Sequence, residues 1–137
     1  LKIEELYKRS RWESADVRPY ISDMVTEFAK TDLIICRAGA TSCAELAAAG
    51  KAAIMIPLPT AADDHQRKNA EALVKQGAAR MVLQKDLNGE SLAKEIVDLI
   101  ESPEKITAME NAAKKMAKAD AAEVTVDIIE SLAKEKN

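Results

Sequence analysis

Leu33-Ile34-Ile35-Cys36-Arg37-Ala38-Gly39-Ala40-Thr41-Ser42-Cys43-Ala44-Glu45 is the stretch whose reading decides the fold. Its four leading apolar residues are too few for a helix and read as a buried strand. A turn carrying Gly39 follows, then a small-residue helix expected from Cys43 to Ala49 and stopped at Gly50. A strand running through a glycine-bearing turn into a helix aims unpaired N–H groups and the positive end of the helix dipole at one spot. Phosphate suits that spot. Just beyond, Glu45 offers a carboxylate to two vicinal ribose hydroxyls, so the stretch as a whole reads as a site for a nucleotide diphosphate. Ser42 and Glu45 also have the spacing of a capping box, in which the carboxylate turns back to its own helix and binds nothing. The stretch alone leaves both readings open.

The flanking sequence supplies the rest of an α/β pattern. Ala52-Ala53-Ile54-Met55-Ile56-Pro57 is a continuous apolar run of the kind found in parallel strands buried on both faces. Ala79 to Leu83 reads as another strand, and Asp16 to Ile21 as an extended first one with Pro19 at its edge. Between them, Ser22 is placed to cap a helix to Lys30, and Asp63 to cap one that runs to Gln76 before Gly77. Leu1 to Arg9 has the spacing of a short amphipathic helix. After Leu83 only helices are expected: Asn88 or Ser91 to Glu101, Pro103 to Met116, and Ala121 to Lys134. Strands alternating with helices, then helices alone, describe a parallel sheet with a helical C-terminal wrap. In such sheets ligands sit beyond the carboxyl ends of the strands, where Ile21, Arg37 to Thr41 and Leu58 to Gln66 all fall.

Composition narrows the function. The 137 residues suit one domain with a real core, and a charged fraction of 31% beside 47% hydrophobic residues is that of a globular chain. A net charge of −3 and only 3% aromatic residues argue against nucleic acid as a partner. Cys36 and Cys43 have neither disulfide-framework nor zinc-site spacing, which favours a reducing compartment. No apolar run approaches the length of a membrane span. The chain opens on Leu1 inside a helical pattern, which suggests a larger parent.

Several of these segments, in order and spacing, resemble one family. They are Pro19-Tyr20-Ile21-Ser22-Asp23-Met24, the Arg37-Ala38-Gly39-Ala40-Thr41 turn with Glu45 and Ala47-Ala48-Ala49-Gly50, Pro57-Leu58-Pro59, and Asp63-Asp64-His65-Gln66-Arg67-Lys68-Asn69-Ala70. The family is that of the bacterial peptidoglycan N-acetylglucosaminyltransferases, the MurG family, and the likeness runs from about Val17 to the last helix. It implies a GT-B enzyme of two Rossmann-like domains, with residues 1–137 forming a single, partial donor-binding domain from the C-terminal half. It implies transfer of N-acetylglucosamine, with inversion, from its UDP derivative to undecaprenyl-linked muramyl-pentapeptide. The lipid-linked acceptor would be met by an N-terminal domain outside this chain, in an enzyme lying peripherally on the cytoplasmic face of the plasma membrane.

Carried over by position, Ile21 would meet the uracil edge through its backbone, with Tyr20 and Met24 shaping that pocket. Gly39, Ala40, Thr41 and Ser42 would hold the diphosphate and Glu45 the ribose. His65 and Gln66 would contact the sugar and phosphate side, and Asn69 would brace their helix. Arg37 has two candidate partners, a phosphate or an internal carboxylate. The base of the family belongs to the absent domain, so no catalytic residue is expected here, His65 included. No cofactor or metal is expected either, since the sugar nucleotide is a substrate and Asp63 is explained by capping.

Two other readings remain in view. One is a non-catalytic subunit lending a nucleotide pocket to a split glycosyltransferase. The other is a different GT-B enzyme using UDP-sugars. The strands that would bridge Val17–Tyr20 and Leu33–Cys36 are missing from the pattern. The first strand is therefore expected to rearrange or to pair with another chain, by dimerisation or swapping.

Overall fold

The computed structural model describes residues 2–10, 14–118 and 121–134. Helix α1 covers Lys2–Arg9, α2 Met24–Lys30, strand β1 Leu33–Cys36, α3 Ala40–Ala49 and β2 Ala52–Met55. A 3-10 turn at Ala62–Asp64 leads into α4, His65–Lys75. Strand β3 is Ala79–Met81, and a second 3-10 turn at Gln84–Asp86 precedes α5, Gly89–Ile100. Helices α6, Pro103–Met116, and α7, Ala121–Lys134, close the chain. Leu1, the expected start of the first helix, lies outside the described residues.

The three strands are parallel in the order β1-β2-β3, with α3 and α4 as the crossovers. Register sets Cys36, Met55 and Met81 side by side, so the three strands end along one edge. All four residues of β2 are buried, which is why that run carries no polar alternation. Ala53 and Met55 face a core made with Leu46 of α3 and Ala70 and Leu73 of α4. Ala52 and Ile54 face the other way, onto Leu99 of α5 and Met109 of α6. Helix α6 joins both layers, since its Ala113 belongs to the first core. Among the described residues no helix is long and apolar enough to cross a membrane.

Four expectations change. Asp16 to Ile21 forms no strand. With no neighbouring strand to take its ladder bonds, the segment is held instead by Arg18, whose two terminal nitrogens donate to Glu27 of α2 at 3.2 and 2.9 Å. The cap of α2 is Asp23 rather than Ser22: its Oδ1 accepts the Thr26 amide at 3.0 Å. Asp63 does not cap α4. It lies at φ 50°, Asp64 follows at φ 54°, and neither carboxylate caps the helix. The C-terminal wrap is also incomplete: α5 and α6 pack on the sheet, whereas Val124, Val126, Ile128 and Ile129 of α7 stay exposed.

Candidate functional site

Helix α3 begins at Ala40, three residues earlier than its sequence suggests, and Gly39 is its cap residue, with no side-chain cap bond. The first intrahelical bond runs from Cys43 N–H to the Gly39 carbonyl at 3.0 Å. The amides of Ala40, Thr41 and Ser42 thus form the open first turn, directly after the end of β1. This start removes the capping-box reading. Ser42 sits inside the first turn, and Glu45 is half a helix further on, with no start to turn back to. Small side chains at Ala40 and Ser42 leave those amides approachable, and the helix dipole adds positive potential there.

Glu45 is exposed and lines a groove of about 320 Å³ with Ile21, Met24, Phe28, Ile34 and Ser42. Its carboxylate has no hydrogen-bond or ion-pair partner among the described residues. The groove is thus lined by the apolar side chains of Ile21 and Met24, by the free carboxylate of Glu45, and by Ser42 of the first turn of α3. Ile21 is half-buried. Tyr20 is not brought into this groove: it is 79% exposed.

The loop after β2 lies along the same sheet edge. Arg37 pairs with no carboxylate among the described residues. Its Nη1 donates to the carbonyls of Ile56 and Pro57 at 3.1 and 3.4 Å, stapling the ends of β1 and β2. His65 is exposed, and its Nδ1 lies 2.7 Å from the Ala62 carbonyl, so that nitrogen holds the helix start. Gln66 Oε1 accepts from Ala38 N–H at 3.2 Å and from Leu58 N–H at 3.0 Å. Asn69 Nδ2 donates to the Ala38 carbonyl at 3.0 Å. Leaving either buried group of Ala38 unpaired costs about 1–3 kcal/mol. Ala38 and Leu58 were invisible as functional positions because they act through backbone atoms; the signal was the Gln66-x-x-Asn69 spacing on one helix face.

Cys36 lines the groove as well, but burial, with Cys43 nearby, pushes its thiol up to about 11. Burial raises Cys43 too, so both behave as small apolar side chains. Among the described residues no three His, Cys, Asp or Glu side chains gather to hold a metal ion.

A parallel sheet joined by helical crossovers, with a helix start at its carboxyl edge, defines a Rossmann-like α/β domain. The profile of the glycosyltransferase family 28 C-terminal domain matches residues 1–125, and the chain belongs to that family. It is 48% identical over 126 residues to a UDP-N-acetylglucosamine--N-acetylmuramyl-(pentapeptide) pyrophosphoryl-undecaprenol N-acetylglucosamine transferase from Geotalea uraniireducens, covering 92% of this chain and 34% of the relative. An identically named protein of Citrifermentans bemidjiense is 45% identical over 130 residues, 95% of this chain and 36% of that one. The crystal structure of Acinetobacter baumannii MurG superposes with a TM-score of 0.79 at 40% identity, over 85% of this chain and 33% of that one. The chain spans about a third of the length of these curated relatives.

Proposed function

We propose that this chain is the donor-binding part of an inverting hexosyltransferase that moves N-acetylglucosamine from UDP-N-acetylglucosamine to undecaprenyl-pyrophosphoryl-muramyl-pentapeptide. The relatives' names supply the reaction, and the groove on this chain supplies a place for the donor. Uracil lies against Ile21 and Met24, and Glu45 accepts from the ribose hydroxyls. Gly39, Ala40, Thr41 and Ser42 receive the diphosphate. His65 and Gln66 face the sugar side, with the Gln66 amide nitrogen as donor since its oxygen is already bonded.

When the sugar–phosphate bond breaks, negative charge grows on the departing diphosphate. Fixed amide dipoles at the start of α3 stabilise that charge without reorganising. Arg37, bonded to backbone carbonyls on one nitrogen, adds a positive charge near the same edge. This chain supplies no base. The group that deprotonates the acceptor hydroxyl belongs to the acceptor-binding half of the enzyme, as does the contact with the lipid-linked substrate. The reaction proceeds without a cofactor, and the parent enzyme works at the cytoplasmic face of the membrane.

The observation that carries this reading is Glu45: an unpaired carboxylate lining an open groove beside a free helix start. Calorimetry with UDP, UDP-N-acetylglucosamine and ADP tests it. Glu45→Ala is expected to weaken UDP about 10- to 100-fold, the range for a lost charged hydrogen bond, and to leave the melting temperature unchanged. Unchanged UDP affinity in that variant overturns the assignment.

A further inference from the structure

Ala38 lies beyond the last residue of β1 and is fully buried. The bond from Ile56 N–H to the Cys36 carbonyl, at 2.8 Å, is the last that joins the β1 and β2 segments backbone to backbone. The peptide groups of Ala38 therefore have no sheet partner, and buried backbone groups need one. Gln66 and Asn69, one turn apart on α4, provide both: Gln66 accepts from its N–H and Asn69 donates to its C=O. The same Gln66 oxygen also accepts from Leu58 N–H in the loop after β2.

We propose that Gln66 and Asn69 are positioning residues that fix the turn ahead of Gly39, and through it the aim of the Ala40, Thr41 and Ser42 amides. By sharing one oxygen between Ala38 and Leu58, Gln66 also holds the diphosphate cradle and the loop leading to His65 as one unit. This deepens the nucleotide reading above and rests on it. Apolar side chains of similar size would fill the same space. They would leave the Ala38 groups unpaired, and the turn would swing to find water, carrying the amides with it. The uridine end of the groove, built by Ile21, Met24 and Glu45, shares no bond with this pair. The pair thus governs affinity for phosphate and not for the nucleoside.

The test uses Asn69, whose one bond goes to the Ala38 carbonyl. Uridine and UDP are titrated separately, by NMR, into the full chain and into Asn69→Leu and Asn69→Ala. Uridine affinity is expected to stay within about two-fold while UDP affinity falls about ten-fold, the effect of one well-placed hydrogen bond. A merely structural role would lower the melting temperature and move both ligands alike or neither, and that result overturns the proposal. If neither variant folds, amide exchange in the unmodified chain decides: slow exchange at Ala38 and Leu58 supports the clamp, and exchange as fast as in exposed loops contradicts it. An unmodified chain that shows no preference for UDP over uridine overturns the nucleotide reading itself, a result distinct from a preference that survives in both variants.

Discussion

Gly39 and Gly50 bracket α3 and are glycines for different reasons. Gly50 closes the helix at φ 61°, a left-handed conformation that L side chains rarely adopt, and its N–H donates to the Ala47 carbonyl at 3.1 Å. A Cβ there would also run into the Lys114 side chain of α6. Gly77 has a similar φ of 73° with open space around it. Gly50→Ala is therefore expected to destabilise by about 1–2 kcal/mol and by more than Gly77→Ala, the difference reporting the Lys114 contact. Urea unfolding of the two variants measures both. Gly39 needs no such freedom: its φ is −63°, and a Cβ would meet nothing nearer than Ser42 Oγ at 3.9 Å. Gly39→Ala should leave stability within about 0.5 kcal/mol, as for substitutions away from packed features, while crowding the cradle and weakening UDP. Equal UDP affinity would show that nothing docks against that residue.

Strand β3 is tied to the two helices behind it by charge. Arg80 donates to Glu95 of α5 at 2.7 Å and to Asp98, and Lys105 of α6 reaches Asp98 at 2.8 Å. Hydrogen bonds from Lys105 and then Arg80 hold the Asp98 carboxyl below the usual aspartate range. A carboxyl whose folded value is depressed contributes stability that is complete above its unfolded value and is lost as pH falls through the folded one. The melting temperature should thus fall between about pH 5 and pH 2, and Asp98→Asn should flatten that limb; an unchanged acid limb contradicts the linkage.

At this scale the sequence was a good guide wherever one pattern determined an element. The all-apolar run of β2 placed it in the sheet centre, and Pro103 marked the start of α6. The α3 start was misread because Ala40-Thr41-Ser42 carries no strong local signal, and Ser42 with Glu45 imitated a cap. Asp16 to Ile21 has strand letters, but a strand also needs a neighbour, which local sequence does not encode. Of the candidate site, the family resemblance brought Ile21, Met24 and Glu45 together, and the three line one groove; the residues alone left Glu45 open between cap and ligand. The bonds of Arg37, Gln66 and Asn69 to backbone atoms were not legible, because their acceptors and donors lie up to 31 residues away.

Among the described residues the sheet has three strands and none pairs beyond β1, where Ile35 is 42% exposed. An open edge with apolar side chains is a template for pairing. Self-association of the chain, by edge pairing or swapping, is the expected outcome of size exclusion with light scattering; a clean monomer at high concentration contradicts it. Turnover by this chain alone should be negligible, since alignment of donor and acceptor supplies much of the rate in such transfers. The donor is proposed to dock at the carboxyl edge of the sheet, where the first turn of α3 meets the groove containing Glu45. An amide-resolved NMR titration of the chain with UDP tests it most directly. The largest shifts are expected at Ala40, Thr41 and Ser42, with smaller ones at Ile21 and Glu45; shifts confined to other surfaces, or none at saturating UDP, would rule out donor binding there.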